Sequence, residues 1–242
     1  MKRLTMLLLG CLCVGAALSA QGFGLSAGLG GNFTYAFTNY TLSAEAKEKN
    51  EKTDYLNNHL AGGGVHAFFD ATYVEAVAGL LFGNANKDKF SADKSEDDRK
   101  GSDITALKLG LFGKFPIPLG GITLFPLLGV DGQIWLAGKS GDKEIDTSEG
   151  RKMAAEMFNT LWFKAGVGFD ISLPVAGNKL FIRPELLYGI RLNTEAEKDE
   201  IADTKVLTGY DSSTLEPQYA KTYESIFGHG LDIRLSIGYR IF

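Results

Sequence analysis

From Gly228 to its end the chain alternates. Leu231, Ile233, Leu235, Ile237, Tyr239 and Ile241 hold one parity, and Gly230, Asp232, Arg234, Ser236, Gly238 and Arg240 the other. Side chains along a strand point to opposite faces in turn, so this segment is a strand with one apolar face and one small or charged face. Seven earlier segments carry the same period: Phe23 to Phe37, Asn58 to Phe69, Thr72 to Phe82, Asp103 to Phe115, Ile122 to Ala137, Thr160 to Ile171 and Leu180 to Leu192. The second is the weakest, because Gly62-Gly63-Gly64 interrupts it. Phe115 to Val130 has only Thr123 as a polar residue, but Pro116, Pro118, Gly120, Gly121 and Pro126 exclude a helix there and predict a turn entering a strand.

The connections alternate in length. Long charged segments follow strands one, three, five and seven (Thr38 to Asn57, Gly83 to Ser102, Gly138 to Asn159, Asn193 to Phe227). Short ones follow strands two, four and six (Asp70-Ala71, Pro116 to Gly121, Ser172 to Lys179). An even set of alternating strands with short turns at one end and long loops at the other predicts an all-β, eight-stranded antiparallel transmembrane barrel, with periplasmic turns and extracellular loops. Alternation alone leaves a soluble barrel open, with the apolar set as its core. The polar parity is dominated by Gly, Ala and Ser with sparse mixed charges, which suits a crowded lumen better than a solvated surface. Aromatics near the strand ends, Phe33, Tyr35, Phe37 and Phe82 on the loop side and Phe23, Phe69, Phe115, Phe169 and Tyr239 on the turn side, match interfacial girdles.

On the inward parity lie Glu75, Asp131, Asp170, Glu185 and Asp232 with Lys108, Lys114, Lys164, Arg183, Arg191, Arg234 and Arg240. An eight-stranded barrel is just wide enough for side chains to fill it, so these charges are expected to pair as a plug. The core of the expected network is Glu75, Lys108, Asp131, Lys164, Arg183, Glu185, Arg191, Asp232 and Arg234. A narrow path lined also by Phe112, Phe125, Trp135 and Trp162 is the alternative.

The closing Gly-Tyr-Arg-Ile-Phe resembles the last strand of small bacterial outer-membrane β-barrel proteins of the OmpX, OmpA-barrel and OmpW groups, and the likeness in architecture covers the whole mature chain. That resemblance implies surface interaction or adhesion, membrane scaffolding, or passage of small apolar molecules. It also implies that Tyr239 and Phe242 serve as the signal read by the barrel-assembly machinery. Phe242 ends the chain as in that family, but Ile241, Tyr239, Ile237 and Leu235 stand one residue out of the family's phase.

The start of the chain fits export to the outer membrane of a Gram-negative envelope. Met1-Lys2-Arg3 is basic, Leu4 to Leu18 is an apolar run, and Ser19-Ala20-Gln21 offers small residues for cleavage, so 1–20 read as a cleaved signal peptide and 21–242 as the barrel. Cleavage after Ser19 is the other option. Leu8-Leu9-Gly10-Cys11 loosely resembles a lipobox, but the apolar run continues past Cys11. Both cysteines, Cys11 and Cys13, lie in this leader, so the mature chain has no disulfide or thiolate chemistry.

A formal charge of −4 with 30 glycines excludes a basic nucleic-acid binder. His59, His66 and His229 lack metal-ligand spacing, and neither a metal nor a cofactor is expected. His59 and His229 fall at the loop-side rim, where Asp54 and Ser225 are candidate partners for enzyme chemistry, yet no nucleophile, base and acid are marked by spacing. The chain therefore reads as a non-enzyme. Asn193 to Phe227 carries eight acidic residues against Lys198, Lys205 and Lys221. This acidic loop is a solvated segment or a surface for a basic host or matrix partner; the other partners expected are membrane lipid and the assembly machinery. Met153, Met157 and Phe158 predict an apolar face on a short helix after Ser148 that packs on the barrel rim.

Overall fold

The computed structural model describes residues 24–42, 44, 55–88, 102–140, 143–192, 206–210, 217–220 and 223–241. Eight long strands form the wall: β1 (Leu25–Leu42), β2 (Tyr55–Ala71), β3 (Val74–Asp88), β4 (Ser102–Lys114), β5 (Ile122–Ser140), β6 (Thr160–Ser172), β7 (Leu180–Arg191) and β8 (Tyr223–Arg240). Each pairs antiparallel with its sequence neighbours, and β1 pairs with β8 from Ser26↔Arg240 to Leu42↔Tyr223. The ring is closed, which leaves no wall strand with an unpaired edge.

Burial follows the period of two. On β4, Ile104, Ala106, Lys108, Phe112 and Lys114 are buried while Leu109 and Leu111 are exposed. On β8, Asp232, Arg234 and Ser236 are buried while Leu231, Ile233, Leu235 and Ile237 are exposed. The barrel is inverted relative to a soluble one: its outer surface is a belt of large apolar side chains, with Leu29 71% and Leu235 58% exposed, and its charges are inside.

Several boundaries differ from expectation. β2 runs without a break through Gly62-Gly63-Gly64, because the ladders to β1 and β3 hold the backbone on both sides. A Cβ at Gly64 would lie 1.9 Å from the Leu80 carbonyl oxygen, so the close approach of β3 requires glycine there. The turn expected at Asp70-Ala71 falls instead at Thr72-Tyr73, the first two residues of the expected third strand, which begins at Val74. Thr72 adopts φ 50°, an uncommon conformation for a β-branched residue, and its hydroxyl ties the turn to β1 by accepting from the Gly24 N–H (2.7 Å) and donating to the Gly24 carbonyl (3.0 Å). Between β4 and β5 a short strand, Ile117–Leu119, folds back on Ile122–Leu124 through Gly120-Gly121.

On the loop side β1, β3, β5 and β8 extend beyond the expected strands. The third loop holds helix α1 (Ser148–Phe158), whose N-cap Thr147 accepts from the Gly150 N–H, and the fourth holds a small hairpin of Val206–Tyr210 and Pro217–Ala220. The expected leader, Asp54 and Phe242 lie outside the described residues, as do the side chains of Met153, Met157 and Ser225.

Candidate functional site

The lumen is built from inward positions of all eight strands in two kinds of layer. The first is aromatic. Phe68, Phe112, Phe125 and Phe181 each sit opposite an inward glycine on the next strand: Gly28, Gly129, Gly168 and Gly238. A Cβ on Gly28, Gly168 or Gly238 would come within 2.4 Å of the facing ring, and one on Gly129 within 2.7 Å of Phe112. The missing side chain is thus the space the ring lies in. With Val77, Leu127 and Leu187 these rings form a buried apolar cluster.

The second layer is ionic and rests on the rings. The Arg183 guanidinium lies 4.4 Å from the Phe68 centroid and 5.0 Å from those of Phe125 and Phe181; Arg234 lies 4.8 Å from Phe112 and Lys114 Nζ 4.4 Å from Phe125. Arg183 donates to Glu75 (2.6 Å), Asp70 (2.6 Å) and both oxygens of Asp170 (2.6 and 2.9 Å). Lys114 pairs with Asp70. Glu75 joins this group to the next, with Arg234 at 3.8 Å, and Arg234 also faces Glu185 (3.7 Å) and Asp131 (3.4 Å). Lys164 bridges Asp131 (2.7 Å) and Asp232. Lys108 donates to both oxygens of Asp232 (3.1 Å each) and to Thr34 (2.9 Å), whose hydroxyl donates to Asp232 (2.6 Å).

The buried acids are Asp70, Glu75, Asp131, Asp170, Glu185 and Asp232; the buried bases are Lys108, Lys114, Lys164, Arg183, Arg191 and Arg234. Among these described residues every buried charge but Arg191 has a named opposite neighbour within 4 Å, the condition for holding ions away from water. Eight of the nine residues expected to form the network meet in it, while Arg191 is buried near the loop end, against Gly228 on β8. Arg240 lies at the turn end of the lumen: its guanidinium is 5.0 Å from the Phe181 centroid, and it is partly exposed and donates to Ser172 Oγ (3.0 Å) and the Asn178 carbonyl (2.7 Å). Tyr239 faces outward.

Asp70, which the sequence places in a turn, is a lumen group. The parity of His66, Phe68 and Asp70 would have placed it inside. His66 shares this parity; its Nε2 and Ser236 Oγ lie 2.8 Å apart, both buried among the charges.

Two spaces beside the network, each about 10 Å3, are lined by Lys108 together with Lys164 and Asp232 in one case and with His66, Asp131 and Arg234 in the other. Such a volume is about that of one water position, and no passage for a solute. Toward the loops the lumen turns apolar. Trp135, Ile104 and Ala85 pack with Ala154 and Phe158 of α1, and Gln133 Nε2 donates to the Phe158 carbonyl (3.3 Å), so the helix sits over one side of the barrel mouth. Trp162, Phe112 and Phe125, with Trp135, face inward and are buried.

His59 and His229 sit on either side of Phe37 in the register, both on the outward parity. His229 packs against Phe37, Tyr188 and Phe227, and His59 stacks on Tyr35. These ring contacts form part of an aromatic girdle; the expected partners Asp54 and the Ser225 side chain lie outside the described residues.

No protein-family model and no curated protein matches the chain. Among solved structures it is similar to the outer membrane protein OprG from Pseudomonas aeruginosa, at 14% identity over 90% of this chain and 96% of that one, with a TM-score of 0.44. It is similar also to the outer membrane protease OmpT from Escherichia coli (10% identity, 92% and 99% covered, TM-score 0.31). A third is the translocator domain of the autotransporter NalP from Neisseria meningitidis (13% identity, 99% and 96% covered, TM-score 0.23). The eight-stranded architecture stands on this chain's own strand pairing.

Proposed function

We propose that the chain is an integral outer-membrane barrel without enzymatic activity, whose lumen is a permanent plug and whose loops carry its interactions at the cell surface. The observation that carries this reading is the inverted polarity of the wall. Leu29, Val65, Leu111, Leu128, Leu186, Leu235 and Ile237 all lie open on the outside, while twelve ionisable side chains are shut inside. Water favours the reverse arrangement, and hydrocarbon favours this one, since a closed barrel satisfies every ladder hydrogen bond without solvent.

A filled lumen counts against the alternative of a narrow channel for small or apolar molecules, and leaves the loops as the variable surface on a rigid scaffold. The acid-rich composition of 193–227 suits a basic partner on a host or matrix surface. Purified protein in planar bilayers is expected to give no stable single-channel steps; nanosiemens-scale steps would sink the plug. Shortening Asn193 to Phe227 to a tight turn is expected to leave a heat-modifiable barrel in the membrane and to reduce adhesion to cells or matrix proteins. Full-length protein that shows no adhesion, with uptake of small apolar compounds that falls on replacing Trp135 or Trp162, would replace the surface reading with the channel one.

A further inference from the structure

The middle of the plug has more acid than base. On the turn side Arg183 and Lys114 face Asp70 and Asp170, and on the loop side Lys108 and Lys164 face Asp131 and Asp232. Between these two matched groups Glu75 and Glu185 share a single cation, Arg234, whose Nη1 lies 3.8 Å from one and 3.7 Å from the other. Both are too long for a hydrogen bond, and Nη1 has no acceptor among the described residues. Glu75 also accepts from Arg183 (2.6 Å), which already serves Asp70 and Asp170. Glu185 has Arg234 alone as an ion-pair partner among the described residues.

No other group brings the missing positive charge to this pair. β1 carries no acidic or basic residue. Arg191 stands six positions nearer the loops than Glu185 on β7, about 20 Å along the strand. The His66 Nε2 meets Ser236 Oγ, its Nδ1 is buried without a hydrogen-bond partner, and its ring shares a space of about 10 Å3 with Lys108 and Arg234. An imidazolium there would lack an acceptor for its second N–H and would face two cations, so His66 is neutral.

The carboxyl groups of Glu185 and Glu75 are within hydrogen-bonding reach of each other, and Oε1 of each is buried and accepts from no N–H or O–H donor among the described residues. Two carboxylates can only accept, so as anions they would repel across this contact and leave it unmatched. Like charges side by side and away from water do not both ionise. We propose that the plug holds one proton at its centre at neutral pH, carried on Glu185 and donated to Glu75. Glu75 is the anion of the pair because Arg183 bonds it directly. The proton completes the charge balance that the side chains alone leave open.

The inference rests on the plug reading above. The test is infrared spectroscopy of the full-length, lipid-reconstituted barrel at neutral pH, with glutamate carrying 13C at its side-chain carboxyl group. The carbonyl stretch of a protonated glutamic acid is expected in the wild type and is expected to vanish in Glu185→Gln, whose amide keeps a donor toward Glu75. Glutamate in the unfolded chain is ionised above about pH 5.5, so folding takes up this proton and stability falls as pH rises. In urea unfolding between about pH 5.5 and 7 the unfolding equilibrium constant of the wild type is expected to grow about tenfold more per pH unit than that of Glu185→Gln. Heat-modifiability reports whether the variant has folded, and the wild-type band needs no variant. Conductance in planar bilayers reports an open lumen separately, so a closed barrel without the band fails on the proton alone. Absence of the band from the folded wild type, the same band in Glu185→Gln, or equal pH slopes for the two proteins would each overturn the proposal.

Discussion

The two faces of each wall strand obey different rules. On β8, Asp232 and Arg234 point inward to named partners on β4, β5, β6 and β7, while Leu231, Ile233 and Leu235 on the same strand point outward and are exposed. Inside, the value of a side chain depends on its neighbours: a charge is tolerable only while the opposite charge stays in place. Outside, it depends on polarity and depth alone, because hydrocarbon accepts any apolar shape. Inward positions should therefore be coupled to one another, and outward positions should be independent.

The sharpest break of this contrast is Arg183→Met. It leaves Glu75, Asp70 and Asp170 facing one another with only Lys114 and the more distant Arg234 in compensation. The expected loss is about 3 to 5 kcal/mol, measured by urea unfolding of the lipid-reconstituted barrel. A loss below about 1 kcal/mol would mean that the lumen admits enough water to solvate the acids, and would reopen the channel reading.

Next in size is the outer face. Val167 lies on the outward parity of β6 between Pro126 and Leu186. Val167→Arg is expected to cost about 2 to 4 kcal/mol in the same assay if the position is near the bilayer midplane. The same variant would be close to neutral if water covered this face, so the experiment separates a membrane barrel from a soluble one.

Coupling is the direct test of the difference between the faces. Lys164 and Asp232 are paired in the lumen, and a double-mutant cycle of Lys164→Met with Asp232→Asn is expected to give an interaction of about 0.5 to 3 kcal/mol. The equivalent cycle of Leu109→Ala with Leu235→Ala, two exposed outward residues on β4 and β8, is expected to add within about 0.5 kcal/mol. Coupling outside as large as inside would remove the distinction.

How much of this was legible in the sequence follows from the same division. The period of two is a property of local backbone geometry, so all eight strands and the inward parity of Lys108, Lys164, Arg183 and Asp232 could be read directly. Length alternation gave the order of turns and loops. Which acid meets which base could not be read, because it depends on the stagger between strands: Glu75 and Arg183 are 108 residues apart and meet across the lumen. The end of β2 is harder to place, since Asp70 has the composition of a turn residue; the parity that it shares with His66 and Phe68 is the signal that puts it in the lumen, where it meets Lys114 and Arg183. The seating of phenylalanine rings on inward glycines was visible only in part. The sequence shows glycines sharing the inward parity, but the register that puts Phe125 opposite Gly168 is a tertiary fact. The bulge at Leu136, where the register between β4 and β5 passes from Ala106↔Trp135 to Thr105↔Ala137, leaves no mark in the alternation of β5, because the break is in the pairing.

The glycines give the smallest and most discriminating pair of predictions. Gly168 points inward, and a Cβ there would lie 2.3 and 2.5 Å from the Phe125 ring and 3.1 Å from Glu185 Cγ. That ring also faces Lys114 and Arg183, so it cannot move without disturbing both cations. Gly168→Ala is expected to cost about 1 to 3 kcal/mol, as overpacking does in a filled interior. Gly132 is on the outward parity of the adjacent strand β5, where the nearest atom to a new Cβ is the Leu109 carbonyl oxygen at 3.8 Å, an ordinary contact. Gly132→Ala replaces exposed backbone with a methyl facing hydrocarbon and restricts the unfolded chain, so it is expected to be neutral or to stabilise by about 0.4 to 1 kcal/mol. The same chemical change on neighbouring strands should thus have opposite signs in one urea titration. Equal effects at both positions would show that packing is no tighter inside the barrel than at its surface, and the plug would then have to be held by charge alone.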